Sequence, residues 1–141
     1  MDVKDKKILI VDDDLYLSDI YAQFFTKKGF LVISAYDGEE ALEKASSEEF
    51  YFILLDIMLP KKRGVEVLKE IREGSSASKN IPIFMLTTLG YDEIIKESFS
   101  LGASGYIVKS TLSLDQIYDE IDSYFAGDKI VSWLVSAILF L

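Results

Sequence analysis

The 141-residue chain contains neither cysteine nor histidine. Without cysteine it can form no disulfide and offers no thiolate nucleophile. Without histidine it cannot build a Ser–His catalytic triad or a histidine metal site, and it cannot itself carry a phosphohistidine. The groups that remain for chemistry are therefore carboxylates, hydroxyls and amines.

Positive charge is also scarce in this chain. There are 15 Lys and Arg residues against 24 Asp and Glu residues, which gives a net charge of −9 at pH 7 and a pI near 4.5. Phosphate backbones and anionic membranes repel such a chain, so we expect this domain not to bind nucleic acid. Residues 1–7 are charged and do not resemble a secretory leader, so we expect a cytoplasmic location.

Short apolar runs recur along the chain, each followed by a segment with helical periodicity. The runs at 7–11, 30–36, 50–55, 81–86 and 105–108 predict strands, because they are too short for buried helices and are bounded by Gly, Pro or polar residues. Capping-box spacing at 37–40 and 113–116 marks the start of two of the helices. This alternation predicts a (βα)₅ chain with a parallel sheet and right-handed crossovers.

The order of the strands does not follow from the sequence. We choose the flavodoxin-like order 2-1-3-4-5, in which helices cover both faces of a doubly wound α/β sheet. This order sets the first and third strands side by side. It brings the carboxyl ends of all five strands to one edge of the sheet, which is where such folds bind ligands.

The last segment of the chain differs from the rest. Residues 130–141 carry no charge, and only two serines interrupt the apolar run. As a helix this segment would reach about 18 Å, which is short of a hydrocarbon core of about 30 Å. We therefore expect a domain over residues 1–127 and an apolar tail over 128–141 that mediates self-association.

Charged and polar residues stand where four of the predicted strands end: Asp12, Asp13, Asp56, Thr87 and Lys109. Taken singly, each aspartate is explained as a turn or cap residue, the threonine as a loop hydroxyl and the lysine as a solvated side chain. Together they predict a site. Two carboxylates about 4 Å apart repel each other by roughly 4 kcal/mol at an effective dielectric constant near 20, so the cluster requires a cation or raised pKa values.

All-oxygen ligands favour a hard divalent ion, with Mg²⁺ as the first choice and Mn²⁺ as the second. A carboxylate beside such an ion can attack a phosphoryl group and form an aspartyl phosphate. Lys109 would then neutralise phosphate charge, and the Thr87 hydroxyl would donate a hydrogen bond to a phosphate oxygen.

Residues 6–125 resemble the receiver domain of bacterial two-component response regulators. The resemblance depends on four stretches, which are ILIVDDD, ILLDIMLP followed by Gly64 and EVL, NIPIFMLTT, and LGASGYIVK. It implies that Asp56 is the phosphoacceptor and that Asp13 is a direct metal ligand. Asp12 would bind the metal mostly through water, and the backbone carbonyl of Met58 would complete the protein ligands.

The resemblance also implies a function. Thr87 and Tyr106 would form the switch pair, and Lys109 would bind the phosphate. A sensor histidine kinase or a histidine phosphotransfer protein would supply the phosphoryl group, and an effector that the sequence does not identify would read the face of the fourth and fifth helices and the last strand. Such a domain is a switch rather than an enzyme, since it catalyses only its own phosphorylation and dephosphorylation.

The sequence departs from the family pattern at two positions. Ser110 stands where the family usually has a proline after a cis bond, and Arg63 stands where an acidic residue is common. The first departure matters because a cis bond before a residue other than proline costs about 2.5–4 kcal/mol.

Two other functions are considered. Asp12-x-Asp14 after a strand mimics the nucleophile and acid/base pair of haloacid-dehalogenase-like phosphatases, but that function leaves Asp56 without a role. A pseudo-receiver would bind partners without phosphorylation, and the complete set of site residues argues against it. Acetyl phosphate with Mg²⁺ would label Asp56, Asp12 or neither residue, and so would discriminate the three functions.

Overall fold

The computed structural model describes residues 1–88 and 92–127. In these residues five strands alternate with five helices. The strands are β1 (Lys7–Val11), β2 (Leu31–Ala35), β3 (Phe52–Asp56), β4 (Ile83–Thr87) and β5 (Gly105–Val108). The helices are α1 (Leu15–Lys28), α2 (Gly38–Ser47), α3 (Gly64–Glu73), α4 (Asp92–Ser100) and α5 (Leu114–Phe125), with a 3₁₀ turn at Ala77–Asn80 between α3 and β4.

The strands form one parallel sheet in the order β2-β1-β3-β4-β5. This confirms the predicted flavodoxin-like fold and the choice of strand order. Strands β3 and β4 are buried along their whole length, whereas edge strand β2 exposes Leu31. Continuous apolar runs are typical of parallel strands that are covered on both faces, and that pattern made these two strands recognisable in the sequence.

Strand β3 begins at Phe52, two residues later than the predicted start at residue 50. It ends at Asp56, one residue later than the predicted end at residue 55. Asp56 pairs with Leu86 in the β3–β4 ladder, and the Ile57 N–H continues the ladder by donating to the Leu86 carbonyl at 2.9 Å. The backbone of Asp56 is therefore held as firmly as that of an interior strand residue.

Caps at Asp37 and Ser113 confirm the helix starts predicted at 37–40 and 113–116, and α1 is also capped at both ends. Asp14 caps α1 by accepting hydrogen bonds from the Tyr16 and Leu17 N–H groups, and Gly29 ends the helix with φ +112°. Ser113 and Gln116 form both hydrogen bonds of a capping box at the start of α5. These caps fix where α1 and α5 begin, and both helices begin in loops that lead from the site.

Aromatic rings fill the core between the sheet and its helices. Phe25, Phe30 and Phe52 contact one another edge to face, and Phe84 extends the group from β4. Tyr124, near the end of α5, is 36% exposed, and its ring packs edge to face on Phe84 at 5.2 Å between centroids. The apolar tail predicted at 128–141 lies outside the described residues.

Two polar side chains join elements that are distant in sequence. Arg72, near the end of α3, donates to the carbonyls of Gly102, Lys79 and Ile81 at 2.9, 2.8 and 2.7 Å. Ser78 is fully buried and donates to the Ala45 carbonyl at 2.7 Å. The connector between α3 and β4 is thus tied to α2, α3 and the α4–β5 turn.

Candidate functional site

The end of β1 presents one buried and one exposed carboxylate. Asp12 is fully buried, and its Oδ1 accepts the Asp14 N–H at 3.0 Å. Asp13 is exposed. Successive side chains of an extended backbone point to opposite sides, which explains why two adjacent aspartates differ so much in their contact with solvent.

The end of β3 contributes a second buried carboxylate. Asp56 is 4% exposed, and its Oδ1 accepts the Met58 N–H at 3.1 Å. Behind it, the start of α3 packs so closely that a Cβ on Gly64 would lie 2.1 Å from the Asp56 carbonyl oxygen. A side chain at position 64 would therefore displace the strand end that carries Asp56.

Lys109, which follows β5, reaches across the edge of the sheet to both buried carboxylates. Its Nζ donates to Asp12 Oδ2 at 2.6 Å and to Asp56 Oδ2 at 2.7 Å. The Lys109 N–H donates to the Thr87 carbonyl at 2.8 Å, which fixes the base of the side chain. Within residues 1–88 and 92–127 every peptide bond is trans, including the bond from Lys109 to Ser110.

Burial and pairing together set the protonation of Asp56 and Lys109. Burial raises the pKa of Asp56 to about 6, because the effect of desolvation exceeds the opposing effect of Lys109, and the negative charge of Asp12 raises the pKa further. For Lys109, burial alone would lower the pKa, but its bonds to Asp12 and Asp56 outweigh burial and the pKa is raised. Lys109 is therefore charged at neutral pH.

The carboxylates also meet the requirements of a cation site. Asp12, Asp13 and Asp56 each offer an oxygen, and these three oxygens lie within 4.8 Å of one another. A set of oxygen ligands on a strand edge suits a hard divalent ion such as Mg²⁺ and does not suit a soft metal.

The site opens into a cleft of about 520 Å³. Of the predicted residues, Asp12, Asp13, Asp56, Met58 and Lys109 line it. Five further residues line it: Asp14, which was named only in the phosphatase alternative, and Leu17, Tyr21, Thr88 and Ser110, which were not predicted as part of a site. In the sequence Tyr21 stands among apolar residues at helical spacing, a pattern that marks core residues and gives no sign of a place in a site.

The predicted switch residues lie beside the cleft but are not part of its lining. Thr87 ends β4 and pairs with Val108, and it is 6% exposed. Tyr106 is 8% exposed, and its ring lies edge to face with Phe99 of α4 at 6.1 Å between centroids. Thr87 thus lies at the end of β4 beside β5, and Tyr106 contacts α4.

Comparison with known proteins agrees with this geometry. The model of the response regulator receiver domain matches residues 8–122 of the chain. The chain belongs to this family. The receiver domain is 34% identical over 125 residues to the transcriptional regulatory protein CrdR of Helicobacter pylori, covering 89% of this chain and 57% of that protein. It is 41% identical over 106 residues to the alkaline phosphatase synthesis transcriptional regulatory protein PhoP of Bacillus subtilis, covering 74% and 42%.

Solved structures agree with the receiver fold. The chemotaxis response regulator CheY4 of Vibrio cholerae superposes with a TM-score of 0.79 at 31% identity, covering 86% of this chain and 99% of that one. A CheX–CheY complex with BeF₃ and Mg²⁺ from Borrelia burgdorferi gives a TM-score of 0.77 at 33% identity, covering 85% and 89%.

The chain spans about half the length of the curated relatives it matches. Receiver domains are signalling switches rather than classical enzymes. In the part of the chain that the structure describes, no helix is long and apolar enough to cross a membrane.

Proposed function

We propose that this receiver domain accepts a phosphoryl group on Asp56 and changes its binding surface in response. The observation that carries the proposal is the bridge from Lys109 to Asp12 and Asp56, at 2.6 and 2.7 Å, on the floor of an open cleft. A lysine that only stabilised the fold could bridge two carboxylates without an open cleft beside it. A bridged lysine that lines an open cleft is suited to bind an incoming anion.

The transfer itself is a displacement at phosphorus. An Asp56 carboxylate oxygen attacks the phosphorus atom, and the bond from phosphorus to the donor nitrogen or acyl oxygen breaks as the new P–O bond forms. The leaving group departs with the electron pair of the broken bond. Lys109 is placed to release Asp56 and donate to a phosphoryl oxygen. Its positive charge would there offset the negative charge of the phosphoryl group.

A divalent ion fits the same site. Asp12, Asp13 and Asp56, with the Met58 carbonyl, would hold Mg²⁺, or Mn²⁺ in its place. The ion would neutralise charge on the transferred phosphoryl group. Since the chain has no histidine, the phosphoryl group comes from a partner, either a sensor histidine kinase or a histidine phosphotransfer protein.

The response is proposed to pass through Thr87 and Tyr106. The Thr87 hydroxyl moves toward the new phosphoryl oxygens, and Tyr106 turns into the space that Thr87 leaves. Support comes from the burial of both side chains and from the contact between Tyr106 and Phe99, which couples β5 to α4. The output would then be a remodelled face of α4, β5 and α5 for an unidentified effector.

Labelling with acetyl phosphate and Mg²⁺ tests the proposal, with the attached phosphoryl group followed by intact mass and its position by peptide mapping. We expect one acid-labile group on Asp56, loss of labelling in Asp56→Asn, and full labelling in the matched control Asp19→Asn, which changes an exposed carboxylate on α1. Label on Asp12 would instead support a phosphatase of the haloacid-dehalogenase type. No label under any condition would support a pseudo-receiver.

We further propose that residues 1–127 form the functional domain and that residues 128–141 mediate self-association. The support is the chargeless sequence of the tail after residue 129 and the Gly127 turn that follows α5, at φ +81°. A chain ending at Gly127 should form smaller particles than the full chain in light scattering. Equal particle masses would contradict a role of the tail in association.

A further inference from the structure

Tyr21 is a buried phenol in the same cleft. It lies on the second turn of α1 and is 4% exposed, yet its side chain lines the cleft together with Asp12, Asp56 and Lys109. An apolar residue would satisfy the packing requirement of this position equally well. The hydroxyl adds a hydrogen-bonding group to the lining of the cleft, which an apolar residue would not supply.

The hydroxyl of Tyr21 makes no hydrogen bond to any described residue and remains accessible to solvent. Among the described residues, the only side-chain polar atom that is both unpaired and shielded from solvent is Ser18 Oγ. The Tyr21 oxygen therefore keeps contact with solvent, and for a residue this buried the available solvent is that of the cleft. The charges that act on this hydroxyl belong to Lys109, Asp12, Asp56 and Asp14.

Lys109 has one hydrogen-bond donor left. Its ammonium carries three N–H groups, and two of them bind Asp12 and Asp56. The third has no protein acceptor among the described residues. A phenol oxygen accepts hydrogen bonds, and burial raises the pKa of Tyr21 above its ordinary value, so the hydroxyl is neutral and can accept from a cation without losing its proton.

We propose that Tyr21 is a positioning residue for Lys109. Its hydroxyl accepts from the third donor of the ammonium through one water in the cleft, and this bridge persists while the other two donors move from the carboxylates to the phosphoryl group. The phenol would thus be the fixed point about which the lysine exchanges its partners. This inference rests on the proposed function, since the exchange occurs only if Asp56 is phosphorylated.

The test removes only the hydroxyl, in Tyr21→Phe, and compares it with Tyr51→Phe, a tyrosine just before β3 at the opposite end of the sheet. Two quantities are measured: the rate of Asp56 labelling by acetyl phosphate, and the affinity for beryllofluoride, a phosphoryl mimic, in the presence of Mg²⁺, followed by NMR. We expect Tyr21→Phe to lower both by about threefold to tenfold, the effect of one hydrogen bond. Mg²⁺ affinity alone and the melting temperature should hardly change, and Tyr51→Phe should match the wild-type protein.

A double-mutant cycle then separates a positioning role from a structural one. If Tyr21 acts through Lys109, Tyr21→Phe should have no further effect on beryllofluoride affinity in a Lys109→Ala background. An equal loss in both backgrounds would overturn the proposal, as would a loss of Mg²⁺ affinity that accounts for the slower labelling. If the wild-type protein is not labelled on Asp56, the proposed function itself fails. If it is labelled and Tyr21→Phe behaves identically, only the present inference fails.

Discussion

Replacing Asp56 by asparagine should stabilise the metal-free protein at neutral pH, although it destroys the proposed phosphoacceptor. Folding moves this carboxyl group out of water, and its burial raises the pKa from the ordinary 3.8 to about 6 in spite of Lys109. An ionised Asp56 is therefore a cost to the folded state. Asparagine has nearly the same shape and carries no charge, and its carbonyl can still accept a hydrogen bond from Lys109.

The sign of the pH dependence follows from the raised pKa. Below pH 3.8 the carboxyl group is protonated in both the folded and the unfolded chain, so Asp56 does not disfavour folding. Between pH 3.8 and about 6 the unfolded chain has released a proton that the folded chain still holds, so the free energy of unfolding falls as pH rises. Above about pH 6 the cost is complete.

The rise in pKa corresponds to at most about 3 kcal/mol. Because the site opens into a cleft and solvent screens its charges, we expect about 1–2 kcal/mol in practice. The assay is urea denaturation in EDTA at a series of pH values from 4.5 to 8. The difference between Asp56→Asn and wild type reports the titration of Asp56 together with its coupling to Asp12 and Lys109.

Asp13→Asn is the matched control for this experiment. It removes a neighbouring carboxylate that is exposed, so it should change the free energy of unfolding by less than about 0.5 kcal/mol. The reasoning would be refuted if Asp56→Asn lowered stability at pH 7.5, or if its gain in stability were the same at pH 4.5 and pH 8.

Three further substitutions test the packing that supports the site. Arg72→Ala should lower the free energy of unfolding by about 2–4 kcal/mol, because three backbone carbonyls lose a charged donor, and Arg72→Lys should recover part of this in urea denaturation. Ser78→Ala should cost about 1–2 kcal/mol by the same assay, since it leaves the Ala45 carbonyl unpaired, and an unchanged midpoint would contradict this. Gly64→Ala should cost about 3 kcal/mol and also slow the labelling of Asp56, because the new Cβ collides with the Asp56 carbonyl; normal labelling would show that the loop moves without disturbing the strand end.

The parts of the fold that the sequence predicted depend on short-range patterns. Strands β3 and β4 appear as continuous apolar runs, and the caps at Asp37 and Ser113 appear as hydrogen-bonding residues at fixed spacing from the helix start. Each of these signals lies within a few residues of the element that it marks, so one sequence is enough to read it.

The parts that the sequence did not predict depend on contacts between distant positions. Lys109 and Asp12 are 97 residues apart, and Arg72 and Gly102 are 30 residues apart, so no local pattern records that they meet. Placement at strand ends predicted that Lys109 lies near the aspartates, but not that it binds two of them at once. Tyr21 was missed because a tyrosine in an apolar stripe carries the same pattern whether its hydroxyl faces the core or a cleft.

The bridge made by Lys109 also bears on how the site handles ions. All four oxygens of the two buried carboxylates already accept hydrogen bonds, two from the ammonium and two from backbone N–H groups. A divalent ion must therefore compete with a resident counter-ion, and binding is an exchange of one cation for another. We expect modest affinity and rapid release, as suits a switch that must be reset. In metal titrations Lys109→Ala should bind Mg²⁺ more tightly than the wild-type protein, so the residue that would assist phosphorylation also keeps the site from retaining its metal.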